Sequence, residues 1–559
     1  MKRHVFTVST LLIVAALLLT GCGPQATPTP VPPTAAVKAT DTPVPPTPVP
    51  PTNTPVPPTP VPPKPKQLVV AQAVDVVDMD PARAFSDTYL VIGKAMYDTL
   101  TELDVKNPGN YLPGLAEKWE ISADGRVYTF HLRQGVKFQS GREMTAEDVK
   151  WSLERLKNLQ GQPAWLMDGV DKVEAPDKYT VQFTLAQPDA SFLARTSVCY
   201  MGTLDSEVAK ANGCAGGPDA ATADKCKEYL DAHSLGTGPY ILESWARDSE
   251  IRLVANPNHW RGRPKFDSVV FKYVADATAQ AQLLQRGDAD FAMNLDPDAA
   301  KQLEGASGVL LKKELSLSII YLGFNFRPEV SPLTSNQKFR QAVLYAIDYG
   351  GINAALGGFG ASPSSVIPIP LLGGDAVPPI KRDVAKAKAL LAEAGLSNPT
   401  LDFHYPAITQ FSVDFNVVAQ KLQADLAEAG ITLNLFPEEW SVFIASYRAG
   451  QVPMTISYST PDYADPHAHI SNFAMTDNVF TKRMGYSNPK VHELAMAAVQ
   501  TADPAERKRI YAELLQLFNA DAVFYPLVEP MEVIGYRDHI IGYEYNPVNK
   551  VTLWQLDKK

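Results

Sequence analysis

The sequence predicts an α/β protein with more than one lobe, and two observations carry that prediction. About 490 residues follow Gln67, which is more than one hydrophobic core usually holds, so we expect two or three domains. Strand-like and helical patterns alternate between Leu401 and Tyr458, and glycines follow the helical stretches. Connections this short place strands in parallel, with helices on the faces of the sheet.

The alternating region is predicted as a β-α-β-α-β unit with strands at 401–405, 431–436 and 454–458 and helices at 414–429 and 438–449. Ligands of such sheets collect beyond the carboxyl ends of the strands. The run from Ser459 to His469 leaves the third strand at that end, so it lies where a binding loop is expected.

The rest of the body contains both strand-like and helical sequence patterns. Local signals predict a hairpin around the Ser122–Gly125 turn, a helix that starts at the N-cap of Thr145, and a helix from Asp276 that ends at Gly287. Two further helices are predicted, one over 336–349 and one that begins at Asp383.

The amino terminus is predicted to be an export signal. Basic residues precede an apolar stretch of about 15 residues, shorter than the roughly 20 needed to cross a bilayer, which disfavours a permanent transmembrane anchor. The box Leu19-Thr20-Gly21-Cys22 resembles the bacterial lipoprotein signal, in which the thiol of Cys22 is lipidated and Cys22 becomes the first mature residue.

A Pro/Thr-rich tether is predicted over residues 23–66, with PVPPTPVPPTNTPVPPTPVPP as its clearest repeat. Polyproline II rises about 3.1 Å per residue, so this segment can hold the body roughly 100 Å or more from the lipid. The alternative, a Pro-rich ligand for a recognition module, suits a cytosolic chain better than an exported one.

Three cysteines remain in the body, where an oxidising compartment favours a disulfide. Cys214 and Cys226 bracket a loop rich in glycine and aspartate and are the expected pair, although a pairing that includes Cys199 stays open. A zinc site is disfavoured because no CxxC or histidine pair lies nearby to complete one.

The net charge of −10 and the scattered Lys and Arg residues argue against a nucleic-acid partner and against adhesion to anionic lipid. No nucleophile elbow, phosphate-binding loop or dinucleotide-binding glycine motif is present, so no catalytic residue is assigned and an enzyme is not expected.

The run TISYSTPDYADPHAHI, residues 455–470, admits three interpretations. A metal site would use Asp465, His467 and His469, but Pro461 and Pro466 interrupt the strand and no third ligand has an obvious spacing. A solvated turn is the plainest interpretation, since loops accumulate such residues. A ligand-binding loop is the third.

The chain resembles the extracellular solute-binding proteins of family 5, the peptide- and nickel-binding components of ABC importers. The resemblance runs from Gln67 to about Pro547 and rests on five segments: 79–100, 111–156, 236–242, 321–348 and the DYADP run at 462–466. The second is the most specific, with its Leu-Ala-x-x-Trp stretch, Gly-turn hairpin, Gly-Val-x-Phe segment and Thr-Ala-Glu-Asp-Val cap.

The resemblance implies a two-lobed fold of the periplasmic-binding-protein type, class II, with an extra domain inserted in the first lobe. The implied boundaries are 67–98, 235–325 and 525–559 for lobe I, 99–234 for the inserted domain and 326–524 for lobe II. The predicted β-α-β-α-β unit lies in lobe II.

The resemblance also implies a binding site without cofactor, metal or catalytic residue. In the similar peptide-binding members the matching aspartate pairs with the α-ammonium of the peptide, which assigns that role to Asp462. Further expected ligand contacts are Tyr463, Tyr458, Ser459, Tyr321, Asn325, Ser86, Trp245 and Arg340, with packing as the equal alternative for Trp245 and Arg340. Backbone groups from Tyr321 to Asn325 are expected to pair with an extended ligand.

The expected function is that of a lipid-anchored, monomeric receptor outside the cytoplasm that delivers an oligopeptide or dipeptide to an ABC permease. Ser459 stands where related members often carry tryptophan, so a non-peptide solute such as a nickel chelate, opine, oligosaccharide or haem is an alternative. A secreted metallohydrolase is the alternative from another class of protein.

Overall fold

The computed structural model describes residues 65–559, which belong to one compact unit. The signal, Cys22 and nearly all of the predicted tether lie outside the described residues. Within 65–559, no helix combines the length and the apolar character that crossing a membrane requires.

A ten-stranded sheet runs through both halves of the body. Eight strands form its main path, in the order Met454–Ser459, Ile319–Phe324, Phe524–Arg537, Phe291–Ala292, Gln67–Gln72, Ser268–Tyr273, Glu250–Ala255 and Tyr240–Ala246. Two more strands, Val309–Leu315 and Gly360–Ala361, pair with Phe524–Arg537.

Lobe I is built around strand Gln67–Gln72, which lies parallel to both of its neighbours in the sheet. Its helices are Asp87–Met96, Ala277–Arg286 and Pro297–Leu303. The predicted helix from Asp276 is present: Asp276 Oδ1 accepts a hydrogen bond from the Ala279 amide at 2.7 Å, and Gly287 ends the helix at a φ of 78°.

Residues 99–234 carry a separate antiparallel sheet in the order Ala116–Ile121, Val127–Leu132, Thr180–Leu185 and Val170–Asp177. The predicted hairpin joins the first two strands. Helix Ala146–Leu159 packs on this sheet and starts in a capping box, in which Thr145 and Asp148 satisfy each other's backbone amides. The remaining strands are Thr101–Leu103 and Tyr111–Pro113, the remaining α-helices are Phe192–Arg195, Ser206–Ala211, Ala220–Ala223 and Lys227–Ala232, and 3₁₀ helices run over Gln162–Met167 and Cys199–Met201.

The predicted disulfide between Cys214 and Cys226 is present, with a Cα–Cα distance of 4.9 Å. Cys199 is a buried free thiol, and burial raises its pKa to about 12. Asp224, next to the disulfide, accepts a hydrogen bond from Arg155 at 3.0 Å, which ties the loop to helix Ala146–Leu159.

Lobe II contains the parallel strand pair Thr400–Pro406 and Thr432–Glu438, in the register Leu401 with Leu433. Its helices are Gln337–Ala346, Tyr349–Ala355, Val384–Glu393, Phe415–Glu428, Trp440–Arg448, His467–Ala474, Val479–Met484, Pro489–Gln500 and Pro504–Asp521. The helix predicted over 336–349 ends earlier, at Ala346, and a second helix begins at Tyr349 and continues beyond the predicted end. Asp383 caps Val384–Glu393 as expected, its Oδ1 accepting from the Lys386 amide at 2.8 Å.

The prediction for the third strand of the β-α-β-α-β unit is partly wrong. Met454–Ser459 is a strand, but it pairs antiparallel with Ile319–Phe324 in the large sheet and forms no ladder with the two parallel strands. It is buried along nearly its whole length, and Ile319–Phe324 offers it an apolar neighbour that is buried at every position.

The chain crosses between the lobes twice, at adjacent points. The first half of Phe524–Arg537 pairs with Ile319–Phe324 of lobe II, and its second half pairs with Val309–Leu315 of lobe I. The Ser316 amide donates to the Pro530 carbonyl at 3.1 Å where the two connections meet. The expected end of lobe I at residue 325 is therefore wrong: residues 319–324 pack in lobe II, and the crossing lies at 316–318.

Candidate functional site

A cavity of about 550 Å³ lies between the lobes, next to the two crossing segments. Lobe I contributes Asp87, Glu532 and Lys550 to its lining, and lobe II contributes Phe411 and Ser412 from a short turn. Because both lobes line the cavity, a molecule bound there touches residues on either side of the crossing.

Asp462 lies on the loop that follows strand Met454–Ser459 and is not itself among the residues that line this cavity. Its side chain is partly buried, and among residues 65–559 no hydrogen-bond donor or cation pairs with its carboxylate. Burial, and then the charge of the nearby Asp87, raise the pKa of Asp462 to about 7. A buried carboxylate with these surroundings is stabilised when a cation approaches it.

Asp87 is the first residue of helix Asp87–Met96 and belongs to lobe I. Its side chain is exposed to the cavity and has no ion-pair partner within the described chain. Although the residue is exposed to the cavity, surrounding protein atoms keep part of the water away from its carboxyl group, and this desolvation raises the pKa of Asp87. The charge of Lys550 opposes that effect and the charge of Glu532 adds to it. Lys550 and Glu532 form an ion pair of their own at 2.6 Å.

Aromatic rings form one wall of the site. Tyr458 stacks on Trp440 with ring centroids 6.0 Å apart and meets Phe411 edge to face at 5.7 Å. Burial raises the pKa of Tyr458, and the charge of Asp87 adds to the increase. Tyr458 does not line the cavity, but its ring contacts Phe411, which does, and its expected contact with a ligand stays a prediction.

Tyr463 is buried and packs against Trp165 of the inserted domain, with ring centroids 6.0 Å apart and the rings tilted by 35°. Two hydrogen bonds join the same regions: the Tyr111 hydroxyl donates to the Ala464 carbonyl at 3.1 Å, and the Ala190 amide donates to the Val499 carbonyl at 2.7 Å. Tyr463 thus fixes the loop that carries Asp462 against the inserted domain.

Ser86 and Ser459 are engaged in local hydrogen bonds. Ser86 Oγ caps the helix by accepting from the Tyr89 amide at 3.2 Å, and the Tyr200 hydroxyl bonds both backbone groups of Ser86. Ser459 is buried, and its Oγ lies 3.4 Å from His469 Nδ1. Ser86 therefore holds the start of the helix that carries Asp87, and Ser459 holds the start of the loop that carries Asp462.

The expectations for Tyr321 and Asn325 are wrong. The Tyr321 hydroxyl bonds the Tyr447 hydroxyl at 2.9 Å in the core of lobe II, and Asn325 Nδ2 donates to the carbonyls of Gly450 and Val452. Strand Ile319–Phe324 has a partner strand on each side, so its backbone cannot pair with a ligand.

For Trp245 and Arg340 the structure favours packing, the alternative to a ligand contact. Trp245 Nε1 lies 3.3 Å from the Asp75 carboxylate, and Arg247 stacks on the indole. Arg340 is buried over the ring of Phe326 and donates to backbone carbonyls, among them that of Asp521 at 2.8 Å. Burial lowers the pKa of Arg340 to about 10. Neither residue lines the cavity.

The metal interpretation of the 455–470 run finds no support in residues 65–559. Asp465 pairs with Arg507, and His469 Nε2 lies 3.0 Å from the Leu317 carbonyl oxygen. Burial lowers the pKa of His467, and it lowers that of His469 to about 4. The one cluster with ligand-like spacing in this range is Cys214, Asp224 and Cys226, whose sulfurs are joined in the disulfide.

Several cavity residues were not expected from the sequence. Asp87 lies inside the segment 79–100, directly after the capping Ser86, but a first-turn acid is common for helix stability alone. Phe411 and Ser412 both have positive φ, 50° and 62°, in a turn that no glycine signals. Lys550 follows a region without regular secondary structure.

Comparison with known proteins gives one family. The model of the "Bacterial extracellular solute-binding proteins, family 5 Middle" matches residues 110–480. The "Dipeptide-binding protein" of Escherichia coli K12 is 29% identical over 491 residues, which cover 83% of this chain and 89% of that protein. The "Heme-binding protein A" of Haemophilus influenzae is 29% identical over 488 residues, covering 82% and 86%.

Among solved structures, a periplasmic binding protein, DppA from Helicobacter pylori in complex with the peptide STSA, superposes with a TM-score of 0.71. It is 25% identical and covers 88% of this chain and 98% of its own. The predicted fold class is thereby confirmed. The chain belongs to the bacterial extracellular solute-binding proteins of family 5.

Proposed function

We propose that this protein is the binding component of an ABC importer and that it captures a short peptide with a free amino terminus between its two lobes. The observation that supports this most is Asp462, a partly buried carboxylate on the loop after strand Met454–Ser459 that has no partner among residues 65–559 and on which the charge of the cavity residue Asp87 acts. A cation supplied by cargo relieves the cost of burying that charge.

The binding cycle depends on the two crossing segments. Cargo that contacts both lobes favours the form in which they lie together, and a permease can distinguish that form from an open one. The protein catalyses no reaction in this scheme and needs no metal or cofactor. We further propose that Cys22 carries a lipid and that the Pro/Thr-rich tether holds a monomeric body outside the cytoplasm.

The peptide assignment is favoured by the E. coli relative and by the solved complex with the peptide STSA. Haem is the second candidate, because the H. influenzae relative is named a haem-binding protein. The cavity lining speaks against haem: Asp87 is unpaired, and the one lysine of the lining pairs with Glu532, which leaves no free cation for propionates.

Calorimetry with alanine peptides of two to four residues tests the proposal. We expect Asp462→Ala to weaken binding by about 2 to 5 kcal/mol, because the ammonium loses its buried partner. N-acetylation of the peptide is expected to have the same effect on the native protein. Unchanged affinity in both experiments would refute the anchor, and mass spectrometry of co-purifying solute would then identify the cargo.

The lipid anchor has its own test. Cys22→Ala is expected to release the protein from the membrane fraction without changing peptide affinity, since the cavity lies in the body. A variant that stays in the membrane fraction contradicts the anchor and leaves the binding function unaffected.

A further inference from the structure

A small hairpin of lobe II, residues 409–414, reaches lobe I at the cavity. Its two-residue turn consists of Phe411 and Ser412. Ser412 Oγ donates a hydrogen bond to the Leu295 carbonyl of lobe I at 3.3 Å, and Leu295 also lines the cavity. Within the described part of the chain, lobe II lines the cavity through residues 409–412 alone. The hairpin is therefore the face that lobe II presents to a molecule in the cavity.

The turn of this hairpin keeps a phenylalanine where the backbone suits other residues. Phe411 and Ser412 have φ of 50° and 62°. Two consecutive positive φ values at a hairpin turn are adopted most readily by asparagine and glycine. A bulky residue in this conformation is strained, and such strain is found where the surrounding structure maintains it, often at ligand contacts. The Phe411 ring is thus present against the local preference of the backbone, which indicates a use for the ring itself.

The Phe411 ring is positioned by the aromatic residues behind it. It meets Tyr458 edge to face with ring centroids 5.7 Å apart, and Tyr458 in turn stacks on Trp440. One side of Phe411 packs against the core of lobe II, and the residue also lines the cavity. Because these neighbours already hold the ring, a bound molecule contacts it without the cost of ordering a loose side chain.

Lobe I faces this ring with apolar side chains. Those that line the same cavity include Val74, Met293, Met531 and Val533. Methionine side chains adapt to apolar groups of different shapes. The cavity also has a charged part, which contains Asp87 and the Lys550–Glu532 pair. A molecule that suits both parts combines a charged group with a large apolar group.

We propose that Phe411 determines specificity, and that the cavity selects short peptides with a large apolar side chain, which packs between Phe411 of lobe II and the apolar residues of lobe I. This inference rests on the proposed function and names the class of cargo. An apolar side chain that leaves water by touching both lobes favours the form in which they lie together. The Ser412–Leu295 hydrogen bond involves no cargo atom, so it contributes equally to the binding of every peptide.

Three substitutions separate the ring from the hairpin. Phe411→Asn removes the ring, and the turn is kept because asparagine tolerates positive φ. Phe436→Asn is the matched control, since Phe436 is a 42% exposed ring of lobe II that stacks on His404 and does not line the cavity. Ser412→Ala keeps the Phe411 ring and removes the hydrogen bond to lobe I.

Calorimetry on the full protein compares Ala-Phe with Ala-Ala and Ala-Phe-Ala with Ala-Ala-Ala. We expect the native protein to bind the phenylalanine peptide of at least one pair about tenfold or more tightly, because its phenyl group leaves water. Phe411→Asn is expected to reduce that ratio to about threefold or less, mainly by weakening the phenylalanine peptide. Phe436→Asn and Ser412→Ala are expected to keep the native ratio, and Ser412→Ala to weaken both peptides by a similar factor.

Four results would overturn the inference. If the native protein binds both members of each pair equally, or if Phe411→Asn keeps the native ratio, Phe411 does not select cargo and the proposed function stands. Equal losses for both peptides in Phe411→Asn would show that the hairpin only closes the cavity. The same fall in the ratio in Phe436→Asn would indicate a general effect of removing a ring from lobe II. If the native protein binds none of the four peptides, the proposed function fails together with this inference.

Discussion

The Asp465 carboxylate and the Arg507 guanidinium form a buried two-point ion pair, with Oδ2–Nη1 at 2.7 Å and Oδ1–Nη2 at 2.6 Å. Asp465 follows Asp462 by three residues, and its Oδ1 also accepts from the His467 amide at 2.8 Å. This pair ties the loop that carries Asp462 to helix Pro504–Asp521 and so fixes the position of that loop.

Arg507→Met is expected to destabilise the protein by about 3 to 5 kcal/mol, since it leaves the buried Asp465 carboxylate without its partner. Denaturant unfolding measures the change. Arg509→Met is the control: Arg509 lies two residues away on the same helix, in exposed pairs with Glu506 and Glu513, and is expected to cost less than about 1 kcal/mol. Equal losses in the two variants contradict this role for Asp465.

Peptide affinity is expected to rise with pH through the pKa of Asp462, which is about 7 in the protein without cargo. The neutral acid must lose its proton before it pairs with an ammonium, so the ionised fraction limits binding below that value. Between pH 5.5 and 7.5 this predicts tightening on the order of twentyfold, before the peptide amine deprotonates near pH 8. Titration calorimetry across this range measures it. Asp462→Asn is expected to flatten the profile, and a flat profile in the native protein contradicts the prediction.

Glu529 is a buried acid at the lobe crossing. Its Oε2 accepts from the Ile369 amide at 2.8 Å, its Oε1 has no partner in the described chain, and burial raises its pKa to about 8. The folded protein therefore keeps a proton that the unfolded chain releases, so stability falls as pH rises from about 4.5 to about 8. Glu529→Gln is expected to reduce that fall, as thermal unfolding at several pH values can show. If stability falls with pH as steeply in Glu529→Gln as in the native protein, groups other than Glu529 cause the fall.

The disulfide is expected to contribute about 3 kcal/mol, the usual value for a loop of this length. A reductant should lower the unfolding temperature of the native protein and leave a Cys214→Ser/Cys226→Ser variant unchanged. Both measurements refer to the full chain. A native protein insensitive to complete reduction indicates that the Asp224–Arg155 contact alone holds the loop.

Tyr321→Phe tests whether Tyr321 belongs to the core or to the site. The substitution removes the hydroxyl that pairs with Tyr447, so we expect a loss of about 1 to 3 kcal/mol in stability with no change in peptide affinity. Chemical denaturation and calorimetry on the same preparation separate the two effects. A loss of peptide affinity without a loss of stability would instead indicate that Tyr321 contacts the peptide.

Features with a local cause were predictable from the sequence. The caps at Thr145, Asp276 and Asp383 and the disulfide depend on neighbours within a few residues or one loop. The partner of strand Met454–Ser459 was not predictable, because an apolar run is compatible with several neighbours and Ile319–Phe324 comes from a distant part of the chain. The lobe boundary failed for the same reason.

The same distinction between local and distant causes applies to the residues of the candidate site. Asp462 was selected from the motif and from its place after a strand end, and its role as a ligand contact stays a prediction. Tyr321, Asn325 and Arg340 were misassigned because a polar side chain in the sequence does not reveal whether its hydrogen bonds end on a ligand or on the backbone. Asp87 was missed because its position after Ser86 already has a sufficient explanation in helix stability.

The contacts between the inserted domain and lobe II bear on how cargo leaves. Swinging the lobes apart must break the Tyr111–Ala464 and Ala190–Val499 hydrogen bonds and separate Trp165 from Tyr463. These interactions involve no cargo atom, so under the proposed function we expect them to slow the release of every cargo alike. Exchange of the inserted domain between relatives is then expected to change the rate of cargo release without changing which cargo binds.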